Sequence, residues 1–261
     1  VGLLVARVTP VRQVSSASTP QRAQADTRPT AGAWAVYVAI AISGMTALGA
    51  EVVWTRLLSL LFGATVYTFS QILAVFLLGL GIGSSLGAAI GRSVQRPRVA
   101  LGVCQLMLCG AIAYTSYMLT QSLPYWPINP SLSTSPWFNF QLDLLRCLWA
   151  ILPATVLWGA SFPLALAAVA SPGEDAGRLT GGIYAANTIG AIVGALGSSL
   201  LLVAWIGTQQ SQRLLVGLST ATALLVLVPV LWPGRRVAGV SVVLACAGLA
   251  ALLMQSVPSV P

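Results

Sequence analysis

Residues 44–91 read GMTALGAEVVWTRLLSLLFGATVYTFSQILAVFLLGLGIGSSLGAAIG, and this stretch decides the fold class. Its only charged side chains are Glu51 and Arg56, and none occurs from Val66 through Ile90. A helix of that length crosses the roughly 30 Å of hydrocarbon in a bilayer. Gly79, Gly83, Gly87 and Gly91 recur every four residues. One side of the helix is therefore a strip where another backbone can approach closely. The run Gly79-Leu80-Gly81-Ile82-Gly83 mimics a nucleotide-binding glycine loop, but such loops follow a strand and open onto a polar turn. Inside an apolar helix these glycines are packing residues.

The composition of the whole chain agrees. Of its 261 residues, 57% are hydrophobic and 7% charged, and the mean hydropathy is +0.87. A soluble domain carries about 25% charged residues, so this chain has too little polar surface to face water. Strands of a β-barrel would alternate over roughly ten residues, whereas these runs are longer and do not alternate. The expected fold is all-α, a polytopic transmembrane helix bundle of about seven spans. The spans fall near 33–53, 66–90, 99–120, 140–169, 182–206, 214–231 and 237–254. Small residues return in the fifth, at Ala186, Gly190, Gly194 and Ser198, so tight helix interfaces are expected there too. Residues 1–31 form a basic tail, disordered or lying on the membrane surface, 32–255 the helical domain, and 256–261 a short tail.

The net charge is +8, from thirteen arginines without a lysine against five acids. In a soluble protein that excess would suggest nucleic acid. Here the arginines lie in the tail and short loops, so they read as topology signals and lipid contacts, and no nucleic-acid partner is expected. An inside N-terminus collects the tail arginines, Arg92, Arg96, Arg98, Arg178, Arg235 and Arg236 on the inner side. Arg56, Arg146 and Arg213 then fall outside, which the positive-inside rule prefers. Cys104, Cys109, Cys147 and Cys246 lie in or beside apolar runs and make no C-x-x-C, and the chain has no histidine. They read as small hydrophobes, with no metal or cofactor expected.

Six polar residues are candidates for function: Glu51, Arg56, Gln71, Asp143, Arg146 and Asn187. Glu51 and Arg56 are five apart, about 140° around a helix, so each is expected to meet a partner on another helix. Trp54 between them reads as an interfacial-belt residue, which places Glu51 near the headgroups. A functional pair and a purely structural ion pair both remain open. Gln71 and Asn187 suit interhelical hydrogen bonds, and Asp143 and Arg146, three apart, can pair on one face. Pro153 and Pro163 are expected to kink or break the fourth span; a broken helix would line a cavity, and simple kinks would not. Residues 121–139, rich in proline and aromatics, read as a re-entrant or interfacial loop. With no histidine, no lysine and no spaced carboxylate pair, catalysis is not expected of this chain alone.

Three stretches carry a family resemblance. They are Gly49–Leu58 with Phe62-Gly63 and Leu73–Gly83; Leu152–Thr155 with Gly159–Leu164; and Tyr184–Ala191. Together they resemble the membrane part of bacterial fused major-facilitator/spermidine-synthase-like proteins, over about residues 35–230. The resemblance implies a multi-pass domain of the bacterial cytoplasmic membrane that serves a polyamine-related process as carrier or anchor. Glu51, and Asp143 with it, would face a cationic ligand such as a polyamine. The soluble synthase-type domain of that family is not seen in this sequence. The rival expectation is a structural accessory subunit of a larger membrane assembly, docked through its glycine rows and the 121–139 loop onto other membrane or soluble subunits.

Overall fold

The computed structural model describes residues 32–126, 135–170, 175–231 and 236–257. The expectations for residues 1–31, the middle of the 121–139 loop, Glu174, Arg235 and the last four residues lie outside the described residues. Within them the chain forms α1 (Ala33–Phe62), α2 (Val66–Ser93), α3 (Pro97–Tyr117), α4 (Pro136–Val169), α5 (Ala176–Gly197), α6 (Gly207–Leu231) and α7 (Arg236–Ser256). A π turn at Met118–Ser122 and a 3₁₀ turn at Leu123–Tyr125 extend α3; a π turn at Ser198–Leu202 and Val203–Trp205 extend α5. The described residues hold no strand, and the fold is an all-α bundle. Six helices are long and apolar enough to cross a membrane, and Val243–Ser256 adds a shorter apolar stretch in α7.

Tight corners join α1 to α2 and α5 to α6. Gly63 (φ 92°) and Gly207 (φ 76°) take left-handed backbone there, which a side chain would oppose. Thr65 then caps α2, its hydroxyl oxygen accepting from the Thr68 amide at 3.2 Å.

Two pairs of helices are held together by glycine. Along α2, Gly79 faces Thr155, Gly83 the Val156 carbonyl and Gly87 the Ala160 backbone of α4; Gly159 of α4 faces Leu80 in return. An added Cβ at any of these would overlap its neighbour. On α1 and α5, Gly190 meets the Ala41 backbone, Gly194 that of Met45, and Gly44 the Asn187 carbonyl. Residue numbers rise together on both sides of each interface, so α2 runs parallel to α4 and α1 parallel to α5. Each pair therefore skips over intervening helices. α3 lies antiparallel between α4 and α6, with Thr115 donating to the Ala150 carbonyl (2.8 Å) and Gly102 against Leu227. α6 also packs on α1 and α7. α2 and α5 share no substantial interface, so the bundle is open between them.

Two expectations are corrected and a third is narrowed. α1 runs nine residues past the expected end at Val53, to Phe62. Trp54 is not an interfacial anchor: it is fully buried, its ring 5.4 Å from that of Trp158, which stacks in turn on Phe76 at 6.1 Å. Sequence places an aromatic near a helix end but cannot say whether it points to lipid or inward. Of the kink or break expected in the fourth span, the break is excluded: α4 is continuous over 34 residues, with Pro153 and Pro163 inside it. Proline at 153 cannot donate to the carbonyl four residues earlier, that of Trp149. The Tyr114 hydroxyl of α3 donates to that same oxygen at 3.2 Å. Pro163 instead packs its ring beside Gly87.

Two predictions follow from this packing. Gly83→Ala should destabilise the chain in detergent by about 1–3 kcal/mol, whereas Gly81→Ala, with no atom within 4 Å of its Cβ position, should not. Equal melting temperatures for the two would remove the glycine interface as a source of stability. Tyr114→Phe should cost about 1 kcal/mol, and much less in a Pro153→Ala background, where an amide again reaches Trp149. A thermodynamic cycle without that coupling would show that the carbonyl needs no substitute donor.

Candidate functional site

α1 is two-faced where Glu51 lies. Ala50, Val53, Trp54, Leu57 and Leu58 point into the core. Leu48, Val52, Thr55 and Ser59 recur at helical spacing on the other side, with Glu51 and Arg56 flanking them. These six side chains and Phe69 of α2 line an open groove of about 450 Å³. Glu51 is half-buried and Arg56 exposed. Neither forms an ion pair or hydrogen bond with any described residue, so the expected partners on other helices are not found. The geometric reason is that only Phe69, an apolar side chain, comes in from a second helix.

A second cavity, of about 300 Å³, lies where the two glycine-held pairs face each other. α1 lines it with Ser43, Gly44, Ala47 and Leu48, and α2 with Phe76, Leu80 and Ser84. α4 adds Trp158, Gly159 and Phe162, and α5 adds Tyr184 and Asn187. Its walls are apolar apart from two serines, the Tyr184 hydroxyl and the Asn187 amide. Leu48 lines both cavities, so groove and cleft adjoin at one side chain. Asn187 makes no hydrogen bond among the described residues, contrary to the interhelical bond expected of it. Its carbonyl is pressed onto Gly44 and its side chain borders the cleft.

Gln71, Asp143 and Arg146 belong to a separate cluster. Gln71 donates to the Phe140 carbonyl at 3.0 Å, tying α2 to the first turns of α4, as an interhelical role requires. Arg146 pairs with Asp143 at 3.3 Å and lies 5.8 Å from the centre of the Phe62 ring. Its side chain is 8% exposed and that of Asp143 23%, so this pair is mostly enclosed. Asp143 does not line the Glu51 groove. The glycines Gly79, Gly83, Gly87, Gly190 and Gly194 lie in the two interfaces described above, and Gly91 lies beside Ala167 at the end of the α2 row. Neither Pro153 nor Pro163 lines the groove or the cleft.

The sequence reading passed over a polar seam inside the bundle. Gln105 of α3 is fully buried and donates to Ser43 of α1 (3.2 Å) and Ser161 of α4 (3.0 Å). Thr46 donates to the Ser43 carbonyl at 3.0 Å and accepts from the Trp158 indole at 3.1 Å. The Cys104 thiol donates to the Leu157 carbonyl (3.3 Å). The available signal was Gln105 itself, an amide in the middle of an apolar span, where such groups are costly unless hydrogen-bonded across helices. The four cysteines are buried and unlinked, and no three metal-ligating side chains converge among the described residues.

No family model, no curated protein and no solved structure matches the chain. The reading of the site therefore rests on its own geometry.

Gln105→Met removes both hydrogen bonds that Gln105 donates within the seam and should lower stability in detergent by about 1 kcal/mol. Ser43→Ala added to it should cost little more. A Gln105→Met chain that melts with the parent would show that the seam contributes no stability.

Proposed function

We propose that this chain is a non-catalytic integral membrane domain that acts as a carrier, holding an amine-bearing ligand at Glu51. The observation that carries the reading is an open cavity reaching a carboxylate that no described residue neutralises. A purely structural Glu51 would be paired, because an ionised group in an apolar setting is expensive alone. The resemblance to the membrane part of spermidine-synthase-like fusion proteins points the same way, toward amines. Asp143 is taken out of the expected ligand set by Arg146. That leaves one carboxylate in the groove, which suits a ligand presenting a single ammonium there better than a polyamine.

The orientation that fits this reading places the N-terminus of α1 in the cytoplasm of a bacterium, at its inner membrane. Arg92, Arg96 and Arg98 share that end of the bundle, with Arg98 donating to the Ala168 carbonyl at the end of α4. Arg213 lies at the other end, bound to the Met254 carbonyl at 3.0 Å. The positive-inside rule supports this assignment.

One observation favours a second reading as accessory subunit: α5 exposes Tyr184, Ile189, Ile192, Val193 and Leu196 along its length. Such a face suits another membrane subunit as well as lipid. The two readings separate in one experiment on the purified chain in nanodiscs. Titration with a small alkylamine should give binding that Glu51→Gln weakens at least tenfold, about 1.4 kcal/mol, without lowering the melting temperature. Binding that ignores the substitution, or none at all, would sink the carrier and leave the accessory subunit.

A further inference from the structure

The two charges of the groove are ordered along α1, and that order limits what can fill it. Leu48, Glu51 and Arg56 succeed one another toward the Phe62 end of the helix. Arg56 lies about 7.5 Å beyond Glu51 along the axis, and about 140° around it. Both side chains nevertheless line the one groove. Leu48 also lines the cleft, together with Ala47, Phe76 and Leu80. A complementary ligand is thus apolar at one end, cationic next and anionic last.

We propose that the groove binds a zwitterionic α-amino acid with an apolar side chain. Its ammonium donates to Glu51, its carboxylate accepts from Arg56, and its side chain passes Leu48 into the cleft. This rests on the reading that Glu51 holds an amine, and it names the class of that amine. The guanidinium offers a planar fork that a carboxylate accepts in two parallel hydrogen bonds, and the Glu51 carboxylate has only acceptors to offer an ammonium. Thr55 and Ser59 supply hydroxyls on the same wall.

Charge complementarity excludes the neighbouring ligand classes. A polyamine that satisfies Glu51 brings further ammonium groups toward Arg56. A fatty acid or anionic lipid that satisfies Arg56 meets the Glu51 carboxylate. An aminophospholipid has both charges in the wrong order, because its phosphate lies between the acyl chains and the amine. In an α-amino acid the ammonium and carboxylate are both attached to the α-carbon, at the root of the side chain. The cleft, about 300 Å³, lies at the small end of ligand cavities and has room for such a side chain.

A matched set of probes, with spermidine added as the polyamine, tests this on the chain in nanodiscs: L-phenylalanine, phenethylamine, which lacks the carboxylate, and 3-phenylpropanoate, which lacks the ammonium. Phenylalanine should bind at least tenfold more tightly than either. Arg56→Gln should reduce phenylalanine to the level of phenethylamine and leave phenethylamine unchanged; Glu51→Gln should reduce it to the level of 3-phenylpropanoate. Leu48→Trp, which narrows the passage, should weaken phenylalanine and phenethylamine alike. If phenethylamine or spermidine equals phenylalanine, with binding lost in Glu51→Gln, the zwitterion is wrong and the amine site survives. If no probe shows binding that depends on Glu51, both fall. The probes on the unmodified chain decide the zwitterion even if a variant fails to fold.

Discussion

Lipid tails are as apolar as leucine, so helices in a bilayer gain little by burying leucine against leucine. What holds this bundle must come from close backbone contact and from hydrogen bonds between helices. Both are present, and they occupy different places. Gly83 on the Val156 carbonyl and Gly190 on the Ala41 backbone bring α2 to α4 and α1 to α5. The buried amide of Gln105 and the Trp158–Thr46 bond then join α1, α3 and α4 across the middle. The cleft exists because the two glycine-held pairs are each tight internally and meet each other mainly through α1 and α4.

The same rule governs backbone groups. A carbonyl left bare at membrane depth has no water to turn to. Pro153 creates one such carbonyl and Tyr114 answers it from the neighbouring helix. Side chains that the bundle does not satisfy are correspondingly informative. Gln212 is fully enclosed with neither amide atom partnered, and Gln105 has a spare oxygen. Glu51 and Arg56 differ from these in facing an open groove, where a ligand rather than the protein can complete them.

Much of the fold could be read from the residues, and the reasons are local. Long uncharged runs leave a helix as the only way to satisfy the backbone in lipid, so element type and order follow from the sequence. The four-residue glycine period marks a contact face for the same reason. What the residues could not say is which helix receives that face. Gly79 to Gly87 pack on α4, two helices further along the chain, and nothing in either segment names the other. Trp54 failed as a belt residue because direction around a helix depends on neighbours: its ring meets Trp158, more than a hundred positions away. Glu51 and Arg56 were legible as costly groups, but the groove between them needed Phe69 of α2 and the shared wall at Leu48. Gln105 was visible as an amide in an apolar run and was passed over.

The skipped pairing of the helices has a consequence for how the protein is made. A ribosome delivers α1 long before α5, and α2 before α4, so each glycine face enters the membrane without its partner. Until then the strip of α1 around Ala41, Gly44 and Met45 lacks the α5 backbone that closes on it. Each early glycine face therefore has no matching backbone to meet until the later helix arrives. Completion is not stepwise hairpin by hairpin. The α2–α4 interface is complete once α4 is made, whereas α1 waits for α5, so a chain truncated before α5 would lack one of the two glycine interfaces.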